Sequence, residues 1–153
     1  MATVDKTGGR SEFPWVGREK NFTIQREIVL GPETVDGVAI SAIAQGDVVQ
    51  ALSIPKHTLV KSITVHVLVD PVKASAVEVG DAVDPNGWDA ALAIEGLVGA
   101  RFHSVSADAF MPDGKHYDVA DTIDLTFTTI TAGPYLVGKV LVIAECVDLS
   151  VQG

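Results

Sequence analysis

Leu59-Val60-Lys61-Ser62-Ile63-Thr64-Val65-His66-Val67-Leu68-Val69-Asp70-Pro71 is the stretch that decides the fold. Ile63, Val65, Val67 and Val69 fall on one side of an extended chain; Ser62, Thr64, His66, Leu68 and Asp70 fall on the other. A period of two marks a strand covered on one face, whereas a helix would set its apolar residues three and four apart. Pro71 ends the run, because it has no amide for a ladder and restricts the residue before it. Outward from here the same texture recurs. In 121–130, Ile123, Leu125 and Phe127 oppose Thr122, Asp124, Thr126 and Thr128; in 75–80, Val77 and Val79 oppose Ala76 and Glu78. The run 139–151 is apolar on both faces for much of its length, which predicts a central strand buried on both sides. Phe22, Ile24 and Arg26 alternate with Thr23, Gln25 and Glu27 before the chain turns continuously apolar, and 47–55 reads as a strand stopped by Pro55.

The remaining segments are connections. Residues 35–47 are Ala-rich, but Gly37, Gly46, Val38, Ile40 and Ile43 favour strand or loop. Residues 81–89 form a loop by every turn signal, 89–102 are ambiguous, with a helical turn open for the first half and strand favoured for the second, and 103–121 read as a long polar connection. Eight or nine strands separated by Gly, Pro and Asp turns, with no long helix, predict an all-β antiparallel β-sandwich of the Greek-key or jelly-roll-like class.

Residues 1–21 differ from this. They carry Gly8, Gly9, Gly17 and Pro14, are rich in charge and show no period, so they are read as an extended N-terminal arm on a β-sandwich domain of 22–153. Within the arm, Phe13-Pro14-Trp15-Val16 is an apolar plug in polar surroundings. Left in water such a plug is costly, so it is expected to dock, on its own domain or on a partner.

The chain has 153 residues, 47% hydrophobic and 20% charged, which suits one domain with a real core and is too apolar for disorder. Eleven Lys and Arg against twenty Asp and Glu give −9. Nucleic-acid binding and anionic membranes both need the opposite surplus, so a basic or neutral protein surface is the partner class left open. The first fifteen residues hold no apolar h-region, and no apolar run reaches the roughly 18 residues of a bilayer span. The single cysteine, Cys146, sits in an apolar run and is read as a buried structural thiol; folding in the cytoplasm needs nothing more.

Reactive constellations are sparse. Asp81, Asp84 and Asp89 surround Pro85-Asn86-Gly87, but Pro85 interrupts the series and no Glu closes it at the twelfth position, so a self-bonded hairpin loop is preferred to a calcium loop. His57, His66, His103 and His116 show no ligand spacing, and one cysteine cannot complete a structural zinc site. There is no G-x-S-x-G and no phosphate-cradling strand–helix unit. Asp121 and Asp124 read as charges guarding a sheet edge. Catalytic residues, cofactors and metals are therefore all assigned as none.

Three stretches carry a resemblance. They are 46–60 (GDVVQALSIPKHTLV), 77–88 (VEVGDAVDPNGW), and the pair 120–125 (ADTIDL) with 138–144 (GKVLVIA). Together they resemble segments of the capsid decoration, or cement, proteins of tailed bacteriophages, over roughly 46–149. These are strand and turn patterns and not catalytic signatures. The resemblance implies a small jelly-roll-like β-sandwich on the outer surface of a phage head, made in the host cytoplasm. It would clamp adjacent major capsid subunits and pair with itself, with a homodimer favoured and a trimer open. Under that reading Phe13, Trp15, Val16 and Trp88 are the expected capsid or partner contacts, and neither nucleic acid nor membrane is bound. Two alternatives stand beside it. One is another virion component, such as a head-fibre or tail part, or a carbohydrate-binding sandwich using Trp88 with Asp84, Asn86 and Asp89. The other is a cupin-like metal enzyme, disfavoured by the missing H-x-H pair.

Overall fold

The computed structural model describes residues 20–95, 101–103 and 109–150. Every regular element among them is a strand: β1 (Lys20–Val29), β2 (Glu33–Val35), β3 (Val38–Ile40), β4 (Val48–Ile54), β5 (Thr58–Val69), β6 (Ser75–Gly80), β7 (Asp89–Leu92), β8 (Arg101–His103), β9 (Lys115–Tyr117), β10 (Asp121–Ile130) and β11 (Lys139–Asp148). A five-stranded antiparallel sheet runs β1-β11-β5-β8, with β9 sharing the β5 edge, and a four-stranded sheet runs β4-β10-β6-β7. The inward faces of both form one apolar core: Val60, Ile63, Val65, Val67, Val140, Val142 and Ala144 from the first, Leu52, Ile54, Val77, Val79, Ile123, Leu125 and Phe127 from the second. This is the all-β sandwich that the period-two runs predict, with jelly-roll-like character compatible with it. Among the described residues no helix is long and apolar enough to cross a membrane.

The face assigned to β5 holds for Ile63, Val65 and Val67, while Val69 at its end is exposed. Val60 is buried too, although three residues from Ile63. Glu145 faces Ser62 and Cys146 faces Val60, so Lys61 is an inserted bulge residue that lets both neighbours point inward. β11 is central, between β1 and β5, but its second face is half-covered: Leu141 and Ile143 are intermediate and Glu145 exposed. β1 begins at Lys20, so Lys20 and Asn21 belong to the sheet and not to the arm; the rest of the arm, including Phe13, Trp15 and Val16, lies outside the described residues.

Residues 33–40 form a separate β2–β3 hairpin. Asp36 (φ 50°) and Gly37 (φ 79°) are its two turn residues, and positive φ at both is what a type I′ turn requires. The register fixes two ends for the sandwich. One holds the start of β1, the end of β11, the β4–β5 turn and β9; the other holds the β2–β3 hairpin and the loops 70–74 and 131–138.

Candidate functional site

At the first end the loop 81–87 folds back on itself. The Asp81 carboxylate Oδ1 accepts the amides of Val83 and Asp84, both at 3.0 Å. Its Oδ2 accepts Lys115 Nζ at 2.5 Å and Tyr117 Oη at 2.8 Å, so all of its acceptor capacity is used inside the protein. Gly80, just before it, has no room for a Cβ against the backbone of Asp84 and Pro85, so the tight return demands glycine. Lys115 lies over the rings of Phe110 and Tyr117, at 4.4 and 5.0 Å from their centroids. Burial raises the pKa of Asp81, but Lys115, the Asp84 amide, Tyr117 and the Val83 amide outweigh it, and the carboxyl is held below its ordinary value. Burial, with Asp81 alongside, pushes the Tyr117 phenol far up. A charged carboxylate whose every acceptor site is taken is a lock for the loop, the self-bonded arrangement expected for 81–89, and no general base.

Trp88 sits beneath this lock with 0% exposure. Its indole meets Phe110 edge-on at 5.2 Å and its Nε1 donates to Tyr117 Oη at 3.4 Å. The expectation that Trp88 contacts a partner is corrected: the returning loop and the 109–117 segment enclose it completely. The sugar-binding patch falls with it, since neither Trp88 nor Tyr117, at 3% exposure, has a face to stack on a ring.

Asp124 is a second correction. β10 lies between β4 and β6, so Asp124 guards no edge; it is 7% exposed and accepts Thr122 Oγ1 at 2.7 Å. Burial raises its pKa, and Asp121 and Asp81 add to the rise while Thr122 opposes it. An acid raised on folding penalises the native state above that folded pKa and ceases to do so as pH falls through it. Asp124→Asn keeps the acceptor for Thr122 and is expected to raise Tm at pH 7 by roughly 2–4 °C. The gain should fade in melts below about pH 4, where the wild-type acid is protonated. Cys146 is 1% exposed and burial pushes its thiol up to about 11, in keeping with a structural role.

The histidines give a result that linear spacing hid. The β4–β5 turn and the β5–β9 pairing bring His57, His116 and Asp118 together, with one donor atom from each within 4.8 Å of the others.

The opposite end is chemically different. Val35, Val38, Ile40, Val48, Val69, Val72, Leu136 and Val137 are all exposed there: eight of the ten exposed large apolar side chains among the described residues. Lys73 Nζ donates to Ala132 O at 2.7 Å, tying the loop of Val72 to that of Leu136. Beneath the hairpin runs a groove of about 290 Å³ lined by Ile28, Val29, Ile40, Ile43 and Val49, with Glu27 and Glu33 at its margin. Val72 is 75% exposed and adopts φ 61°, a region that β-branched residues enter only at a cost.

No protein-family model matches the sequence, and no curated protein matches it at a significant level. Solved structures do share its fold. A chain of the capsid of Ralstonia phage GP4 superimposes with a TM-score of 0.60 at 16% identity, covering 97% of this chain and 90% of that one. A chain of the cyanophage Pam1 capsid asymmetric unit gives 0.60 at 12% identity, covering 97% and 99%. A chain of the acidic stable capsid of Helicobacter pylori bacteriophage KHP30 gives 0.58 at 10% identity, covering 86% and 94%. Nearly whole chains correspond in each case, so the sandwich with its connections, and not an isolated sheet, is the fold found in these capsids.

Proposed function

We propose that this chain is a structural, non-enzymatic virion protein that coats the outside of a phage head and clamps adjacent major capsid subunits. The observation that carries the reading is the apolar end, where Val72 holds an uncovered β-branched side chain in a costly conformation. Strain and exposed apolar surface together are explained by a partner that covers them. The likeness to chains of three phage capsids supplies the setting. The net charge of −9 suits an outer face better than an inner face against packaged DNA.

Geometry supports a clamp. β1 spans about 30 Å between the arm's root and the apolar end. Phe13 is seven residues before Lys20 and reaches at most roughly 25 Å from it. The plug of one copy therefore falls short of the far tip of that copy's own apolar end, which leaves the tip open to a neighbour. Residues 1–21 carry four cations against three acids, and 22–153 carry seven against seventeen, so the arm escapes the repulsion between acidic bodies. Interfaces of standard size bury ~1,600 Å², and many weak copies on one lattice act together against internal pressure.

The test is co-sedimentation with undecorated heads of the phage that encodes the chain. Val72→Asp with Leu136→Asp is expected to abolish binding at micromolar protein while leaving Tm unchanged, because both sites are exposed and Asp tolerates positive φ better than Val. Phe13→Ala with Trp15→Ala is expected to release the protein likewise without unfolding it. Full retention of both double variants on heads would overturn the clamp.

A further inference from the structure

We propose that His57, His116 and Asp118 form a binding site for one divalent transition-metal ion, zinc being the natural candidate. The donor set is two imidazoles and a carboxylate, borderline ligands that suit Zn²⁺, Ni²⁺, Co²⁺ and Cu²⁺ and not the all-oxygen cages of Ca²⁺ or Mg²⁺. Metal–ligand bonds of about 2.0–2.2 Å place donors around one tetrahedral ion roughly 3.3–3.5 Å apart. His116 Nδ1 already stands 3.4 Å from Asp118 Oδ1, and one donor from each of the three groups lies within 4.8 Å of the others. All three side chains are exposed, so small rotations can close the remaining gap without disturbing the core.

The backbone beneath them is fixed. His57 occupies the β4–β5 turn at φ 59°, and its carbonyl accepts the Leu149 amide at 2.9 Å. His116 lies opposite Leu59 in the β5–β9 pair, and Asp118 follows one residue after β9. An ion held here would join the turn that links the two sheets to β9, whose Lys115 and Tyr117 already hold Asp81. Three protein ligands leave coordination positions open to water or to a group from a neighbouring molecule. This site does not depend on the capsid reading, because its ligands all come from one chain.

The experiment uses the tag-free full-length chain, stripped with chelator, and titrates it with Zn²⁺ by calorimetry and with Co²⁺ by visible absorption. One equivalent of Zn²⁺ is expected to bind with micromolar affinity and to raise Tm, with Co²⁺ producing ligand-field bands and a large excess of Mg²⁺ failing to compete. His57→Ala and His116→Ala are each expected to weaken binding about tenfold or more while the metal-free Tm stays at the wild-type value; His66→Ala should bind as wild type. Binding weaker than about 100 µM would overturn the site. So would affinity unchanged by both histidine variants, which would mark an adventitious ion elsewhere on the surface.

Discussion

Asp81→Asn is expected to cost about 3–4 kcal/mol and to lower Tm by roughly 10 °C in thermal melts at pH 7. The substitution keeps shape and changes which groups can face each other. Asn Oδ1 can still accept the amides of Val83 and Asp84, but its NH₂ would point at the Lys115 ammonium and the Tyr117 hydroxyl, where Oδ2 now accepts both. The Lys115 side chain, one quarter exposed, would lose its counter-ion and keep only the two ring faces. Breaking one side of a largely buried pair costs more than forming it contributes, because the surviving charge regains only part of its water. The pH dependence separates this from a packing defect. The folded Asp81 carboxyl lies below its ordinary value near 3.8, so its contribution is complete above that value and disappears as pH falls through the lower folded one. Wild type and Asp81→Asn should therefore draw together in stability as pH is lowered below that ordinary value, whereas a packing defect would keep them apart.

Much of the sandwich was legible, because strands buried on one face write themselves as alternation. β5, β6 and β10 declare their inward residues at every second position, and the same residues fill the core. What failed to show was set by neighbours distant in sequence. Asp124 alternates like any outward-facing acid, and only the placement of β10 between β4 and β6 buries it. His57 and His116 are 59 positions apart and meet through the β5–β9 register, which no spacing rule encodes. A three-residue strand such as β9 is shorter than a period can reveal, so 103–121 read as connection. One miss had a local signal: Asp36-Gly37 between Val35 and Val38 is a two-residue hairpin turn, and its dipeptide predicts β2 and β3. The enclosed Trp88 shows why residue type alone misleads, since a large aromatic serves a core and an interface equally well.

Trp88→Ala tests that distinction and should have an effect as large as any single substitution here: about 3–5 kcal/mol lost in denaturant unfolding of the isolated chain. The indole is fully enclosed, packs edge-on against Phe110 and shares its Nε1 hydrogen with Tyr117, whose hydroxyl serves Asp81. Removing it opens a cavity under the loop 81–87 and unseats Phe110, whose amide is bound to Gly87 O at 2.9 Å. The lock above and the tryptophan below share partners, so the double variant with Asp81→Asn should lose less than the two single losses together. Because a loss of this size approaches the whole stability of a small domain, Trp88→Phe is the companion measurement. It keeps much of the ring volume, drops the Nε1 hydrogen bond and should cost about 1–2 kcal/mol. A tryptophan on a partner surface would behave in the opposite way, with the midpoint of the isolated chain unmoved by Ala and only attachment to heads lost. An unchanged midpoint for Trp88→Ala would therefore overturn its place in the core.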